Sequence, residues 1–291
     1  MGLYAIEHKA CLPAKDVGSR RHAEPSTADG EVGWATGSWR LEPITENAMN
    51  TSTLPAPHPR DNQLLAGLPE AEWSRWAPYL ELVELPQGQV LSESGRPAAY
   101  VYFPTTAIVS LLYMTINGGS SEFAVVGKDG LVGISLFMGG NATPSHAVVQ
   151  SAGFAYRLRA QAVKEEVNRA GPVLVMLLRY TQDLIGQVAQ TAAFTRYHSI
   201  EQLLCRRLLL SLDRLPSLAL FMTQELLANL LGVRREGVTA AALKLQQAGV
   251  IRYSRGRIDV LDRNLLEQRV GQRNGGNQHE FFSARSTPLP A

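Results

Sequence analysis

The chain has 291 residues, 45% hydrophobic and 19% charged, with 28 Lys and Arg against 26 Asp and Glu. This is the composition of a soluble globular protein with room for two domain cores. Its two cysteines, Cys11 and Cys205, are too few for a disulfide framework or a tetrahedral thiolate site. No apolar run approaches the roughly 20 residues that span a bilayer, and the N-terminus lacks the basic and apolar regions of a signal peptide, so a cytoplasmic protein without a membrane partner is expected.

Residues 1–58 mix Gly, Pro, Ser and Thr with scattered charges and show no sustained period. They read as a disordered extension, with Trp34 and Trp39 as the exceptions. Met49 opens a start-like stretch, and translation is expected to begin there; an intact mass of 31.8 kDa for the native protein would overturn that expectation.

Residues 59–170 form the first folded unit in this reading. Residues 62–80 carry Leu64, Leu65, Leu68, Trp73, Trp76 and Leu80, which predicts short helices broken by Pro69 and Pro78. From 82 to 158, β-branched and aromatic stretches alternate with Gly, Pro, Asn and Asp, the pattern of a small barrel or roll. The glycine-rich stretch 127–141 lies between strands, so a dinucleotide or P-loop reading fails and a short helix-bearing loop over a ligand is expected. Residues 160–169 read as a short helix.

A long helix follows over 171–194, with Pro172 at its first position, where a missing amide proton costs nothing. From Leu174, the positions Leu177, Thr181, Leu184, Val188 and Thr191 recur every three or four residues. That seam suits a partner helix, with burial inside the same subunit as the alternative. Residues 199–215 form a further helix whose Leu203, Leu204, Leu208, Leu209 and Leu212 are expected to cover the next helix.

Residues 195–269 carry the densest signal. Within 222–251, Leu226, Leu227, Leu230 and Leu231 make one apolar ridge and Val238, Ala241, Ala242 and Leu245 a second, joined at Gly232. Thr223 caps the first helix, with Glu225 in its first turn, and Gly232 supplies the left-handed turn into a second helix beginning around Val233 or Arg234. This is the pattern of a helix-turn-helix whose reading head opens with Arg234, Arg235 and Glu236. Arg followed by Glu offers a guanine donor beside a cytosine acceptor. Residues 251–260 read as a β-hairpin around Ser-Arg-Gly-Arg, a wing whose Arg252, Arg255 and Arg257 suit phosphates. From 195 to 273 there are thirteen Lys and Arg against seven Asp and Glu, so positive charge is concentrated where DNA would favour it. Residues 270–291 read as a disordered tail.

This order of elements, an α+β chain with a β-roll, a long helix and a winged helix-turn-helix, resembles the Crp/Fnr superfamily of bacterial transcription regulators over about residues 60–269. The resemblance is strongest in TQELLANLLGVRREGVTAAALKLQQAGVI, residues 223–251. It implies double-stranded DNA as partner, with Arg235 and Glu236 as first base contacts, Arg234 and Thr239 beside them, and Thr223, Gln224, Arg252, Arg255 and Arg257 on the DNA backbone. Ala240 stands where the family often places another base-reading arginine, so the operator should differ there. The resemblance also implies a homodimer built on the long helix through Leu174, Leu177, Thr181, Leu184 and Val188, a palindromic operator and contact with RNA polymerase.

The sensor half departs from the family. The segments corresponding to its cyclic-nucleotide pocket are Gly133-Ile134 and Thr143-Pro144-Ser145-His146, without the ribose-binding glutamate or the phosphate-binding arginine. The reading is therefore against cyclic-nucleotide control, with Gly133, Ile134, Ser145 and His146 left as contacts for an unknown effector. No iron-sulfur centre is expected with two cysteines, and no metal or other cofactor is implied. The competing reading is a ligand-binding signalling module whose helical C-terminal domain binds protein. An enzyme is not expected, since no nucleophile elbow, metal spacing or paired carboxylates are visible.

Overall fold

The computed structural model describes residues 56–115, 119–140, 142–143, 145–215 and 219–271. The N-terminal extension up to 55, Met49 included, and the tail from 272 lie outside the described residues. The expected extension ran to 58, but Pro57 and His58 are part of the packed structure. The Pro57 carbonyl accepts from the Tyr156 hydroxyl at 2.8 Å, and the His58 side chain caps the following 3-10 turn.

Asn62 begins the fold. Its side-chain oxygen accepts from the amides of Leu64 and Leu65, capping α1 (Gln63–Ala66), while its amide nitrogen donates to the carbonyls of Pro104 and Gly130 at 2.9 Å each. One buried side chain thus ties the first helix to two loops of the roll. After α2 (Glu70–Trp76) come the strands β1 (Glu81–Leu85), β2 (Val90–Ser92), β3 (Tyr100–Pro104), β4 (Ile108–Met114), β5 (Ser120–Val126), β6 (His146–Ser151) and β7 (Gly153–Arg159). They form two antiparallel sheets in the orders β1-β7-β3 and β2-β6-β4-β5. The glycine-rich stretch does hold a one-turn helix, the 3-10 segment Ile134–Leu136.

Helix α3 (Ala160–Asn168) leads into α4 (Pro172–Tyr197), with Pro172 at its first position. Helix α4 lies on the roll. Leu177 is fully buried in one cluster with Leu65, Trp76, Phe103 and Leu158, and Tyr180 donates to the Leu131 carbonyl at 2.7 Å. Gly130 makes that approach possible, because a Cβ there would meet the Tyr180 ring at 2.7 Å. Leu184 joins Val109, Leu111, Ala124 and Ala147, with Val188 packed beside it.

The seam expected to meet a partner is therefore largely occupied by the chain itself. Leu177, Thr181 and Leu184 are buried against the roll, Leu174 and Val188 are half-buried, and the Thr181 hydroxyl bonds back to the Leu177 carbonyl. The physical reason is that α4 is apolar on two faces. Its other face exposes Val175, Leu178 and Ile185, with Gln182, Ala189 and Ala192 continuing the row at alternating three- and four-residue steps.

The C-terminal half begins with α5 (Ile200–Leu212), opened by a capping box between Ser199 and Gln202. Then come β8 (Ala219–Phe221), α6 (Gln224–Leu231), α7 (Arg235–Gln247), β9 (Ile251–Ser254), β10 (Arg257–Val260) and α8 (Arg263–Gly271). All five leucines expected to cover the next helix are buried there, with Leu226, Leu227, Val238 and Leu245 in the same cluster. Two elements were not legible in the sequence. The three residues of β8 pair with β10, making the wing a three-stranded sheet, and α8 packs on α5. No helix among the described residues is long and apolar enough to cross a membrane.

Leu177→Ala should cost the protein about 2–5 kcal/mol in urea unfolding, since it opens a cavity in the roll. The oligomeric state in sedimentation should stay unchanged. A change of oligomeric state with stability preserved would return Leu177 to a partner surface.

Candidate nucleic-acid interface

The reading head is built by two local signals. Thr223 accepts from the Leu226 amide at 3.1 Å and starts α6; Gly232, at φ 65°, ends it and turns the chain. Arg234 is the N-cap of α7 in extended backbone, so the helix starts at Arg235, one residue past the expected onset. Along α7, Val238, Ala241, Ala242 and Leu245 face inward, leaving Arg235, Glu236, Ala240, Leu243, Lys244 and Gln247 exposed in a stripe at helical spacing. Gly237 permits the packing beneath, because a Cβ there would meet Ile200 at 2.7 Å.

The wing rises beside this stripe. Its turn residues Arg255 and Gly256 both have positive φ, 48° and 80°, as a tight two-residue hairpin requires. Gly256 accepts from the Met222 amide at 2.7 Å, and the Tyr253 hydroxyl donates to the Met222 carbonyl at 2.8 Å, so the wing is bonded to the entrance of α6. Between wing, α6 and α7 lies an open cleft of about 390 Å³, lined by Thr223, Gln224, Arg235, Thr239, Tyr253 and Arg255 among others.

The structure thus brings Thr223, Gln224, Arg235, Thr239 and Arg255 to one cleft. Arg234, Glu236, Arg252 and Arg257 are exposed but do not line it, and the Arg257 guanidinium is paired with Asp259 at 2.8 Å. The Thr239 hydroxyl lies 2.7 Å from Gln224 Oε1 and 3.0 Å from the Arg235 carbonyl, so its proton holds α7 against α6 or closes its own turn. Sequence reasoning missed Leu243 and Tyr253, both of which line the cleft. Leu243, 50% exposed, stands four residues after Thr239, and the helical period alone could have found it. Tyr253 could not be found that way, since its place depends on the hairpin folding back.

The residues singled out in the roll are arranged differently. Gly133 has φ 115°, and a Cβ there would come within 3.2 Å of the Tyr100 carbonyl. Ile134 packs its side chain against the cores on both sides. Ser145 Oγ lies 2.7 Å from Thr143 Oγ1, and Nδ1 of His146 is buried without a hydrogen-bond partner. Pro144 lies outside the described residues. Beside Gly133 the chain places an isoleucine, half-buried between two apolar clusters.

Residues 82–170 match the family model described as a cyclic nucleotide-binding domain, and residues 202–269 match the Crp-like helix-turn-helix domain. Together the two models take in more than half of the chain. The chain belongs to the Crp/Fnr superfamily. Among solved structures it is similar to a Crp/Fnr-family transcriptional regulator from Eubacterium rectale ATCC 33656, at 17% identity and a TM-score of 0.60, covering 72% of this chain and 99% of that one. FixK2 from Bradyrhizobium japonicum aligns at 15% identity and a TM-score of 0.57, over 65% of this chain and 96% of that one. A Crp/Fnr-family regulator from Thermus thermophilus aligns at 21% identity and a TM-score of 0.55, over 67% and 100%. No curated protein matches. Within the superfamily the two matched domains make this chain a DNA-binding transcription regulator.

Two groups in this half titrate unusually. Burial pushes the Tyr253 phenol up to about 12, and burial, then Glu201, pushes the Cys205 thiol up to about 12. Both folded values exceed the ordinary 10.0 and 9.0, so their contribution to stability is complete below pH 9 and is lost as pH rises toward 12. Thermal unfolding of the C-terminal half should fall in temperature across that window, and Tyr253→Phe should flatten the upper part of the fall. An unchanged melting temperature from pH 9 to 12 would contradict the burial of both groups.

Proposed function

We propose that this Crp/Fnr-superfamily protein acts as a cytoplasmic homodimer that binds a palindromic operator and recruits or blocks RNA polymerase, without cyclic-nucleotide control. The observation carrying the DNA reading is the exposed stripe of α7 beside the cleft, where Arg235 and Glu236 can reach base edges in the major groove. Arg234 extends the base contacts from the turn, and Thr239 sets the helix against Gln224. Thr223 and Gln224, at the positive end of α6, and Arg252, Arg255 and Arg257 hold phosphates. Leu243 adds an apolar contact suited to a thymine methyl or a deoxyribose face.

The exposed face of α4 supports the dimer. Val175, Leu178, Gln182, Ile185, Ala189 and Ala192 follow the alternating spacing of a two-helix seam, and Ile185 is 56% exposed in the single chain. Two copies packed there would set their reading helices about a symmetry axis, matching half-sites roughly 34 Å apart. Ile134 in place of an acidic residue supports independence from cyclic nucleotides. Ser145 and His146 are the polar groups that an effector would meet.

Selection of preferred duplexes from a random library, without ligand and with cyclic AMP, tests the reading. A palindrome enriched equally under both conditions is expected; one enriched only with cyclic AMP would overturn the nucleotide-independent part. Arg235→Ala should cost about 1–3 kcal/mol on the selected operator and relax one base position, while Arg255→Ala should weaken all duplexes alike. Ile185→Glu should convert the dimer to monomer in sedimentation, and a dimer that survives it would remove α4 from the interface.

A further inference from the structure

The two halves of the chain meet through charges buried on one face of α5. Arg207 is 3% exposed and Glu122, on β5 of the roll, is 7% exposed. The Glu122 carboxylate lies 2.9 Å from Arg207 Nε and accepts from Nη2 at 3.0 Å. Nη2 also reaches Gln150 Oε1 on β6 at 2.5 Å, and Nη1 donates to Ser211 Oγ at 2.9 Å. Gln150 in turn donates to Met222 Sδ at the entrance of α6. Seven residues further along the chain, in the turn just past the end of α5, Arg214 donates to Asp129 in the loop after β5 at 2.9 Å. Gly127 is required for that approach, since a Cβ there would meet the Arg214 side chain at 2.8 Å.

The two attachments lie seven residues apart in the chain, one within α5 and one just past its end, so they block rotation as well as separation. Nor do they serve stability first. Burial pushes the Glu122 carboxyl up and the Arg207 guanidinium down, and Arg207 Nε, though close to the carboxylate, makes no aligned hydrogen bond. Removing such charges from water costs more than an apolar pair of similar volume would, whereas directional pairing selects one arrangement over others. The DNA-reading unit also touches the roll directly: α6 packs on β5, Leu112 packs against the C-terminal core, and Gly232 lies beside Ser121.

We infer that Arg207 and Glu122 are positioning residues for operator binding: their ion pair, with Arg214–Asp129 as the second point, fixes the orientation of the reading head on the β-roll. Coupling between the halves then runs across β5 and α5 as well as along α4. A dimer with both heads fixed presents them at one separation and engages both half-sites together; a dimer with loosened heads binds each half-site alone. This inference rests on the DNA reading proposed above.

The test uses the full chain and the variants Glu122→Gln, Arg207→Gln and the apolar pair Glu122→Leu with Arg207→Met. Each single variant should lose at least about tenfold in affinity for the duplex the wild type selects, and stay within about twofold on random duplex. The apolar pair should melt like the wild type yet bind the selected duplex no better than the single variants. Recovery of operator affinity together with stability in the apolar pair, or single variants that bind the operator as the wild type does, would overturn the inference. If the wild type enriches no duplex, the DNA reading fails, and small-angle scattering of the same proteins decides the orientation question. Single variants that no longer fit the one arrangement of the wild type support the inference, and unchanged profiles refute it.

Discussion

A guanidinium enters a protein interior only where its charge and most of its donors are met, and Arg207 is met from both halves of the chain. That requirement fixes much else. Helix α5 must turn its leucines into the C-terminal core and Arg207 toward the roll, with Arg214 in the turn just past its end, so it is the element the two halves share. Strand β5 must present Glu122 toward α5, which brings Ser121 under Gly232 and the reading head close to the sensor half. A change in the roll that shifts β5 therefore reaches the head through a few ångströms of packed structure.

Helix α4 shows how one segment can serve two interfaces. Its buried side inserts Leu177 and Leu184 into the roll, while Val175, Leu178 and Ile185 remain outside. Exposing three large apolar side chains in one row is costly in water unless the row is covered, and the helix is long enough to cover it with a second copy. The face proposed for a second copy and the core of the roll are then separated by a single helix diameter.

The roll keeps the architecture of a cyclic nucleotide-binding domain. Gly133 makes a left-handed turn where a Cβ would crowd the Tyr100 carbonyl, and the next residue is an isoleucine half-buried against two apolar clusters. The roll is stabilised by its sheets and by the buried Asn62, Trp76 and Leu177.

Local order was legible in the sequence wherever the physics is local. The cap at Thr223, the left-handed turn at Gly232, the two apolar ridges of the reading unit, the hairpin around Arg255-Gly256 and the proline start of α4 each depend on a few neighbouring residues, and each stands where the sequence put it. Which of two apolar faces on α4 the chain would cover was not legible, because periodicity reports that a face is apolar and not what lies opposite. The same limit hid Tyr253 in the cleft and left β8 unread, since a three-residue strand exists only by pairing with β10. The partnership of Arg207 with Glu122, 85 residues apart, belongs to the tertiary structure alone: a charge in a leucine-rich helix reads as a solvated face until folding brings a carboxylate to meet it.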